Sequence, residues 1–202
     1  MITWILPKNS KMEDYNMRKN LGAKACVYPQ PVFIIGTYDE HGMPNAMNAA
    51  WGGISESTEI SICVDYEHKT MANILQTKAC TVSMADVEHV KECDYVGVVS
   101  GNKVPDKVAK AGFHVVQSEF VYAPLFEELK MALECKMISY DKETCRLVGE
   151  IVNISADESV LTEDGKVDPK KLQPITYDSM HHAYLALGEK VGNAFKDGFE
   201  IQ

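Results

Sequence analysis

The residues best suited to chemistry in this chain lie in one stretch, Gly36–Trp51, which reads GTYDEHGMPNAMNAAW. An apolar strand and a polar turn are followed by a second strand that ends in small residues and an indole. Alanines beside Trp51 allow a flat ligand to approach the backbone closely. A buried, unpaired amide costs roughly 1 to 3 kcal/mol, so Asn48 is expected beside a polar partner or ligand. The stretch predicts a bed for a planar ligand, with a plain core position as the alternative for Trp51.

A second group of polar residues, His68-Lys69-Thr70, precedes a short helical pattern over Met71–Leu75. Thr70 is expected to cap this helix. A helix start with cationic side chains beside it favours an anion such as phosphate. The alternative is an ordinary cap on an exposed helix. Together the two segments predict a phosphorylated planar cofactor on a β-sheet protein.

Strand patterns dominate the part of the chain that must position these residues. Strands are expected at Pro31–Tyr38, Pro44–Trp51, Glu59–Asp65, Ala79–Met84, Phe120–Tyr122, Leu133–Tyr140 and Cys145–Ser155, with a final segment, Tyr184–Gly188, packing back. Helices are expected at Met12–Leu21, at Asp86–Asp94 with Asp86 as its cap, and at Pro105–Ala111 with Gly112 ending it. Because the helices do not alternate regularly with the strands, an antiparallel barrel with helices at its mouth fits better than a doubly wound parallel sheet.

The composition excludes several classes of protein. With 202 residues, 46% hydrophobic and 24% charged, the chain is expected to fold around one sizeable core. A formal charge of −9 and a pI near 5.1 argue against nucleic acid as a partner. No apolar run reaches the roughly 18 to 20 residues that span a bilayer, and the amino terminus lacks a secretory signal. The protein is therefore expected in the cytoplasm, away from membranes.

Other chemistries lack their motifs. The six cysteines form no C-x-x-C pair, and those among Val and Ile, such as Cys63, are expected to be small buried hydrophobes in a reducing compartment. His181 and His182 have no third ligand at a useful spacing, and adjacent side chains of a strand point to opposite faces, so no metal is expected. The sequence contains no nucleophile elbow, dinucleotide fingerprint or P-loop.

Six segments share their order and spacing with one known family. They are Asn45–Gly53, His68–Thr70 with Asn73-Ile74, Val82–Ala85, Val99–Gly101 with Asp106-Lys107, Asp164–Asp168 and Tyr184–Gly188. Over residues 25 to 197 the chain resembles the flavin reductase-like, FMN-binding split-barrel family, and within it the flavoredoxin branch. The resemblance implies a mainly β fold with added helices, an antiparallel split β-barrel of Greek-key type. Residues 1–24 would form an N-terminal arm and residues 25–202 a single domain.

The resemblance also implies a cofactor site for FMN, in which the flavin carries the chemistry and no amino acid is catalytic. The ring and ribityl chain would lie along the end of the second strand, and the phosphate would be bound at the start of the short helix. The residues implied in cofactor binding are Met47, Asn48, Ala49, Ala50, Trp51, His68, Lys69, Thr70, Ser83, Met84, Ala85, Ser100 and Lys107.

Three functions are compatible with this sequence. The first is an oxidoreductase in which NADH or NADPH reduces the bound flavin, which then reduces free flavin or another acceptor. The second is a flavoredoxin-type electron carrier that binds FMN without its own nicotinamide turnover. The third is a flavin-free interaction domain. The resemblance also implies that the FMN-binding protein is a homodimer, because relatives build the flavin site between subunits and a lone barrel leaves an apolar face uncovered.

Overall fold

A computed structural model describes residues 18–201 of the chain. Its strands are β1 (Phe33–Tyr38), β2 (Pro44–Ala49), β3 (Gly52–Glu56), β4 (Glu59–Cys63), β5 (Ala79–Met84), β6 (Val115–Gln117), β7 (Pro124–Phe126), β8 (Met131–Asp141), β9 (Arg146–Ala156), β10 (Ile175–Asp178) and β11 (Ala183–Ala186). Its helices are α1 (Lys69–Thr77), α2 (Val90–Val98), α3 (Lys107–Ala111) and α4 (Pro169–Leu172), with single 3₁₀ turns at Glu158–Val160 and Asp197–Glu200.

Seven strands form one antiparallel sheet in the order β2-β1-β5-β8-β9-β4-β3. The sheet curls into a half-barrel around apolar side chains that include Ile35, Ile62, Val82 and Cys135. Its two edge strands, β2 and β3, are consecutive in the chain and are joined by Ala50 and Trp51. The barrel is thus open where the predicted ligand bed lies, and the expected split β-barrel is confirmed.

A second apolar cluster covers the outer face of β1. Phe33 and Ile35 point into the half-barrel, while Ile34 packs with Val96 of α2 and Val108 of α3. Side chains alternate across a strand, so a strand covered on both faces reads as an unbroken apolar run. The helices are therefore held against β1 and β2, next to the open edge of the barrel.

The two long hairpins follow the predicted pattern. β1 and β2 pair from Phe33↔Ala49 to Tyr38↔Pro44, and the turn is closed by Asp39, whose Oδ1 accepts the N–H groups of His41 and Met43 at 2.9 Å each. Gly42 supplies the positive φ of 76° that this turn requires. β8 and β9 form the longest pairing of the sheet.

Three sequence predictions of secondary structure are wrong. β2 ends at Ala49, and β3 begins at Gly52, where the prediction placed no strand. The helix expected over Asp86–Asp94 begins only at Val90, because Asp86 pairs with Pro174 in an isolated bridge and its Oδ1 accepts the N–H of His89. Residues Phe120–Tyr122 form the bend between β6 and β7 rather than a strand.

One further helix was predicted at the amino terminus. The helix expected over Met12–Leu21 falls mostly outside the described residues, and its described part, residues 18–21, is not helical. The helices of residues 18–201 reach nine residues at most, and none of them has the length and apolar character needed to cross a bilayer.

Candidate functional site

The start of α1 lacks the usual caps. His68 is the N-cap residue, its side chain makes no capping hydrogen bond, and the first turn contains no acidic residue. Lys69 and Thr70 occupy the first two helical positions, whose N–H groups have no partner inside a helix. Thr70 is therefore the second residue of the helix, two positions after the N-cap, and the prediction that it caps the helix is wrong. An uncapped helix start carries a partial positive charge that favours an anion.

The hydroxyl of Thr70 is oriented by a neighbouring strand. Thr70 is buried, and its Oγ1 accepts a hydrogen bond of 2.9 Å from Nδ2 of Asn45 on β2. A hydroxyl that already accepts from an amide retains its own hydrogen to donate elsewhere. Asn45 is only 4% exposed, and its Oδ1 has no hydrogen-bond partner among residues 18–201. The pair combines an available donor with a buried, unpaired acceptor.

Two glycines bring the segment after α2 close to this pair. A Cβ on Gly101 would lie 2.3 Å from Oδ1 of Asn45 and 3.3 Å from Cβ of Lys69. A Cβ on Gly97 would lie 2.8 Å from Cβ of Asn48. The distances of 2.3 Å and 2.8 Å are shorter than side chains tolerate, so only glycine permits this approach of backbone to β2.

Lys107 holds the same segment through hydrogen bonds to its backbone. Its Nζ donates to the carbonyl oxygens of Val96 at 2.9 Å and Val99 at 2.8 Å, at the carboxyl end of α2. Lys107 is 3% exposed, and this burial lowers the pKa of its ammonium group to about 8. A cation at this helix end stabilises the carbonyls that the helix leaves without partners.

Asn48 faces the same region with one atom uncommitted. Its Nδ2 donates to the carbonyl of Cys93 at 3.1 Å and to Oη of Tyr184 at 3.4 Å. These two bonds use both amide hydrogens and leave Oδ1 as the remaining polar atom. Tyr184 in turn donates to Oδ1 of Asp94 at 2.8 Å; burial and that carboxylate raise the pKa of the tyrosine.

These side chains line a cleft of about 160 Å³, here called the helix cleft. Its lining residues are Asn45, Met47, Asn48, His68, Lys69, Thr70, Gly97, Val98, Val99, Ser100, Gly101 and Lys107. Lys69 is partly exposed, and its Nζ lies 3.5 Å from Oδ2 of Asp39. The donors and the cation suit an anionic group. The cleft is smaller than the roughly 300 to 1,000 Å³ of pockets that hold a whole cofactor.

A larger cavity of about 750 Å³ opens on the other side of the β2 end and is called here the arm pocket. Its lining residues are Ala25, Cys26, Val27, Pro29, Gln30, Pro31, Ala50, Trp51, Gly52, Ser61, Cys63 and Arg146. Trp51 is 55% exposed, so the alternative of a core position for this indole is wrong. Cys63 is exposed as well, contrary to the expectation that it is buried, because β4 ends there at the surface.

The predicted site residues divide among three places. Seven of them line the helix cleft: Met47, Asn48, His68, Lys69, Thr70, Ser100 and Lys107. Ala50 and Trp51 line the arm pocket, two residues further along the chain from Asn48. Two consecutive residues span at most about 7 Å, so lining residues of the two cavities lie close to one another at the end of β2.

The remaining four predicted residues line neither cavity. Ala49 and Met84 pack in or against the barrel core, and Ser83 is fully buried in the sheet. Ala85 is also buried, and its backbone bonds to Val32 and Ile175 at 3.1 Å each.

Sequence reasoning missed Asn45, Gly97, Gln30 and Arg146. Asn45 begins the Asn45–Gly53 motif, so a search for buried amides there would have found it. Gly97 lies inside a helix, where a glycine is unfavourable unless close packing requires it. Gln30 and Arg146 come from distant parts of the chain, and no local signal joins them.

The histidine pair lies in the turn at residues 179–182 rather than on a strand. Nδ1 of His181 contacts Oδ2 of Asp178 at 2.7 Å, and Nδ1 of His182 contacts Oη of Tyr177 at 3.1 Å. Within residues 18–201, no group of three or more His, Cys, Asp or Glu is arranged to hold a metal ion.

The open-edged antiparallel half-barrel, with an anion-favouring helix start beside its split, defines a split-barrel protein of the flavin reductase type. A family model described as "Flavin reductase like domain" matches residues 25–182. The chain therefore belongs to the flavin reductase-like family, and its structural relatives place it in the flavoredoxin branch.

Two solved structures carry the branch assignment. Flavoredoxin of Desulfovibrio vulgaris (Miyazaki F) is 38% identical, with a TM-score of 0.87 over 90% of this chain and 100% of that chain. Flavoredoxin from Methanosarcina acetivorans is 27% identical, with a TM-score of 0.81 over 93% of this chain and 100% of that chain. The uncharacterized protein YdfE of Bacillus subtilis is 22% identical over 92% of this chain and 97% of its own length.

Proposed function

We propose that this chain binds FMN and acts as an oxidoreductase in which NADH or NADPH reduces the flavin, which then reduces free flavin or another acceptor. The observation that carries the proposal is the helix cleft. It joins an uncapped helix start, Lys69 and the hydroxyl of Thr70 to the end of β2, in a chain of the flavin reductase-like family.

The residues of the helix cleft fit the anionic end of such a cofactor. The N–H groups of Lys69 and Thr70, the ammonium of Lys69 and the hydroxyl of Thr70 are donors to a phosphate. Asn45 keeps the Thr70 hydrogen turned away from β2, because its own Nδ2 occupies the acceptor side of that hydroxyl. Its buried Oδ1, which has no partner in the described part of the chain, suits a hydroxyl donor, such as those of a ribityl chain.

The ring would lie beyond the cleft, where the small residues follow. Ala50 and Trp51 begin a largely apolar surface that continues into the larger arm pocket. When bound, a flavin supplies reversible uptake of electrons, and the protein orients it and sets its electrostatic surroundings. Asn48, with both amide hydrogens committed to Cys93 and Tyr184, presents only an acceptor to the ligand.

We also propose a homodimer and the division of the chain into an arm, residues 1–24, and one domain, residues 25–202. The family match begins at residue 25, which supports that boundary. Val191, Phe195, Phe199 and Ile201 are 84% or more exposed, more apolar surface in one segment than a monomer ordinarily leaves uncovered. Light scattering on the purified chain should give twice the 22.5 kDa of one chain.

A reducing compartment, the cytoplasm, is the proposed location. All six cysteines lie within the described residues, and all six are free thiols, three of them buried. Secreted proteins of this size more often pair their cysteines. A count of six reactive thiols in the denatured, unreduced protein would agree with this proposal.

The decisive experiment is anaerobic mixing of the FMN-loaded protein with NADH or NADPH. We expect rapid loss of the oxidised flavin absorbance with at least one of the two. A loaded protein that stays oxidised for minutes with both nucleotides, yet is reduced by dithionite, would be an electron carrier and would contradict the reductase proposal. A colourless protein that binds no added FMN would contradict both.

A further inference from the structure

The arm pocket contains polar groups that the proposed FMN site does not use. Its walls are formed by residues 25–31, the β2 end, β4 and the start of β9, and most of them are apolar. Gln30 and Arg146 are the two exceptions with fixed side chains. Each side chain makes one hydrogen bond; Oε1 of Gln30 is buried behind the pocket lining, whereas Arg146 is exposed.

Gln30 is anchored on three sides. Its N–H donates to Oγ1 of Thr176 at 2.7 Å, its carbonyl accepts from the N–H of Tyr177 at 2.8 Å, and its Nε2 donates to the carbonyl of Ala50 at 3.1 Å. The residue is 7% exposed, and its Oε1 has no partner among residues 18–201. Turning the amide over would place oxygen against the Ala50 oxygen. Oε1 is therefore a fixed acceptor that requires a donor.

Arg146 is anchored at its stem. It lies opposite Cys63 in the β4–β9 pairing, and its Nε donates to Oγ of Ser61 at 2.8 Å. Among residues 18–201 the two terminal amino groups of the guanidinium have no other partner, and that planar fork matches a carboxylate. The chain contains one other arginine, Arg18, and has a net charge of −9, so a cation fixed at a pocket of this size is a specific feature.

The surface available between these groups is flat. Trp51 exposes about half of its side chain at the pocket, and Pro29 and Pro31 add rigid apolar rings to the lining. Such surfaces favour the binding of aromatic ligands. An indole stacks on planar rings, and a proline side chain loses no rotamer entropy when a ligand packs against it.

We propose that the arm pocket binds a planar aromatic carboxylate that carries a hydrogen-bond donor away from its carboxylate. The carboxylate pairs with Arg146, the donor binds Oε1 of Gln30, and the ring packs on Trp51. Ala50 and Trp51 are shared with the proposed flavin site, so this ligand lies beside the flavin. That last assignment rests on the proposed function, whereas the binding does not.

The test uses three small probes and a fluorescence signal from the pocket itself. The chain has two tryptophans, Trp4 and Trp51, so the variant Trp4→Phe leaves emission from Trp51 alone. 4-Hydroxybenzoate is titrated by calorimetry and by this emission, beside benzoate, which lacks the donor, and 4-hydroxybenzyl alcohol, which lacks the charge. We expect saturable binding of 4-hydroxybenzoate and affinities on the order of tenfold weaker for the other two probes.

Arg146→Gln should weaken the binding of 4-hydroxybenzoate on the order of tenfold. It should also abolish the difference in affinity between 4-hydroxybenzoate and 4-hydroxybenzyl alcohol. Lys136→Gln is the matched control, since it removes one exposed positive charge from the same sheet outside the pocket, and it should change nothing. Equal binding to Arg146→Gln and the unmodified chain, or no saturable binding of 4-hydroxybenzoate, would overturn the proposal.

FMN affinity measured on the same preparations separates this proposal from the proposed function. Binding of 4-hydroxybenzoate to a chain that binds no FMN supports the pocket and contradicts the flavin site. Loss of FMN binding in Arg146→Gln, with the unmodified chain still binding FMN, would assign the guanidinium to the flavin and overturn the pocket proposal.

Discussion

Replacing Lys69 and Thr70 by alanine tests the helix cleft most directly. FMN and riboflavin share their ring and ribityl chain and differ by the phosphate, so their comparison isolates the contacts at the α1 start. The double variant loses the ammonium of Lys69 and the hydroxyl that Asn45 orients at 2.9 Å. Two charge-assisted contacts together contribute about 2 to 4 kcal/mol, which corresponds to about 30- to 700-fold weaker FMN binding.

The assay is quenching of flavin fluorescence on titration with protein, for both ligands. Riboflavin affinity should change by less than about 0.5 kcal/mol, because no phosphate is present to lose. Lys91→Ala removes an exposed charge from α2 outside both cavities and serves as the control. Circular dichroism must show the same fold, since Asn45 loses its acceptor in the double variant. Equal weakening of FMN and riboflavin, or unchanged FMN affinity, would refute the assignment of the phosphate to this cleft.

Three further predictions concern the supports of the site. Gly101→Ala should lower FMN affinity, because a Cβ 2.3 Å from Oδ1 of Asn45 must push the loop away. FMN titration should show about tenfold weaker binding, unlike Gly198→Ala in open surroundings. Glu134→Leu should cost about 3 kcal/mol in urea unfolding, because buried Ser118 and half-buried Asn153 lose their shared acceptor, while Glu134→Gln should retain most of the stability. Burial lowers the folded pKa of Lys107 from 10.5 to about 8, so the unfolded chain binds more protons between these values and stability rises with pH. Relative to Lys107→Met, the free energy of unfolding should rise by about 2 kcal/mol from pH 8 to pH 10, and a flat difference would contradict the lowered pKa.

The sequence predicts those strands whose turns are closed by local chemistry. Asp39 and Gly42 fix the β1–β2 hairpin within a few residues, and Asp141 begins the turn between β8 and β9 by accepting the N–H of Glu143 at 2.9 Å. Such signals need no knowledge of the rest of the fold.

The errors occur where a residue with a strong local preference is bound instead by a residue that is distant in the chain. Asp86 has the side chain of a helix cap, but its backbone pairs with Pro174, which delays α2 to Val90. Thr70 also has the side chain of a cap, but Asn45 takes its hydroxyl into the interior. Neither partner lies near in the chain, so the choice between the two roles depends on the folded structure.

The end of β2 brings two different environments together. The backbone passes from Asn48, whose amide faces the polar helix cleft, to Ala50 and Trp51 at the apolar arm pocket within two or three residues. A phosphate requires donors and positive charge, whereas an aromatic ring requires flat apolar surface, and a single cavity meets both needs poorly. Because β2 is an edge strand of an open barrel, no neighbouring strand covers its free side, and both surfaces remain accessible to one ligand. The split of the barrel therefore leaves a polar and an apolar surface open along a single strand, which is what the proposed flavin site requires.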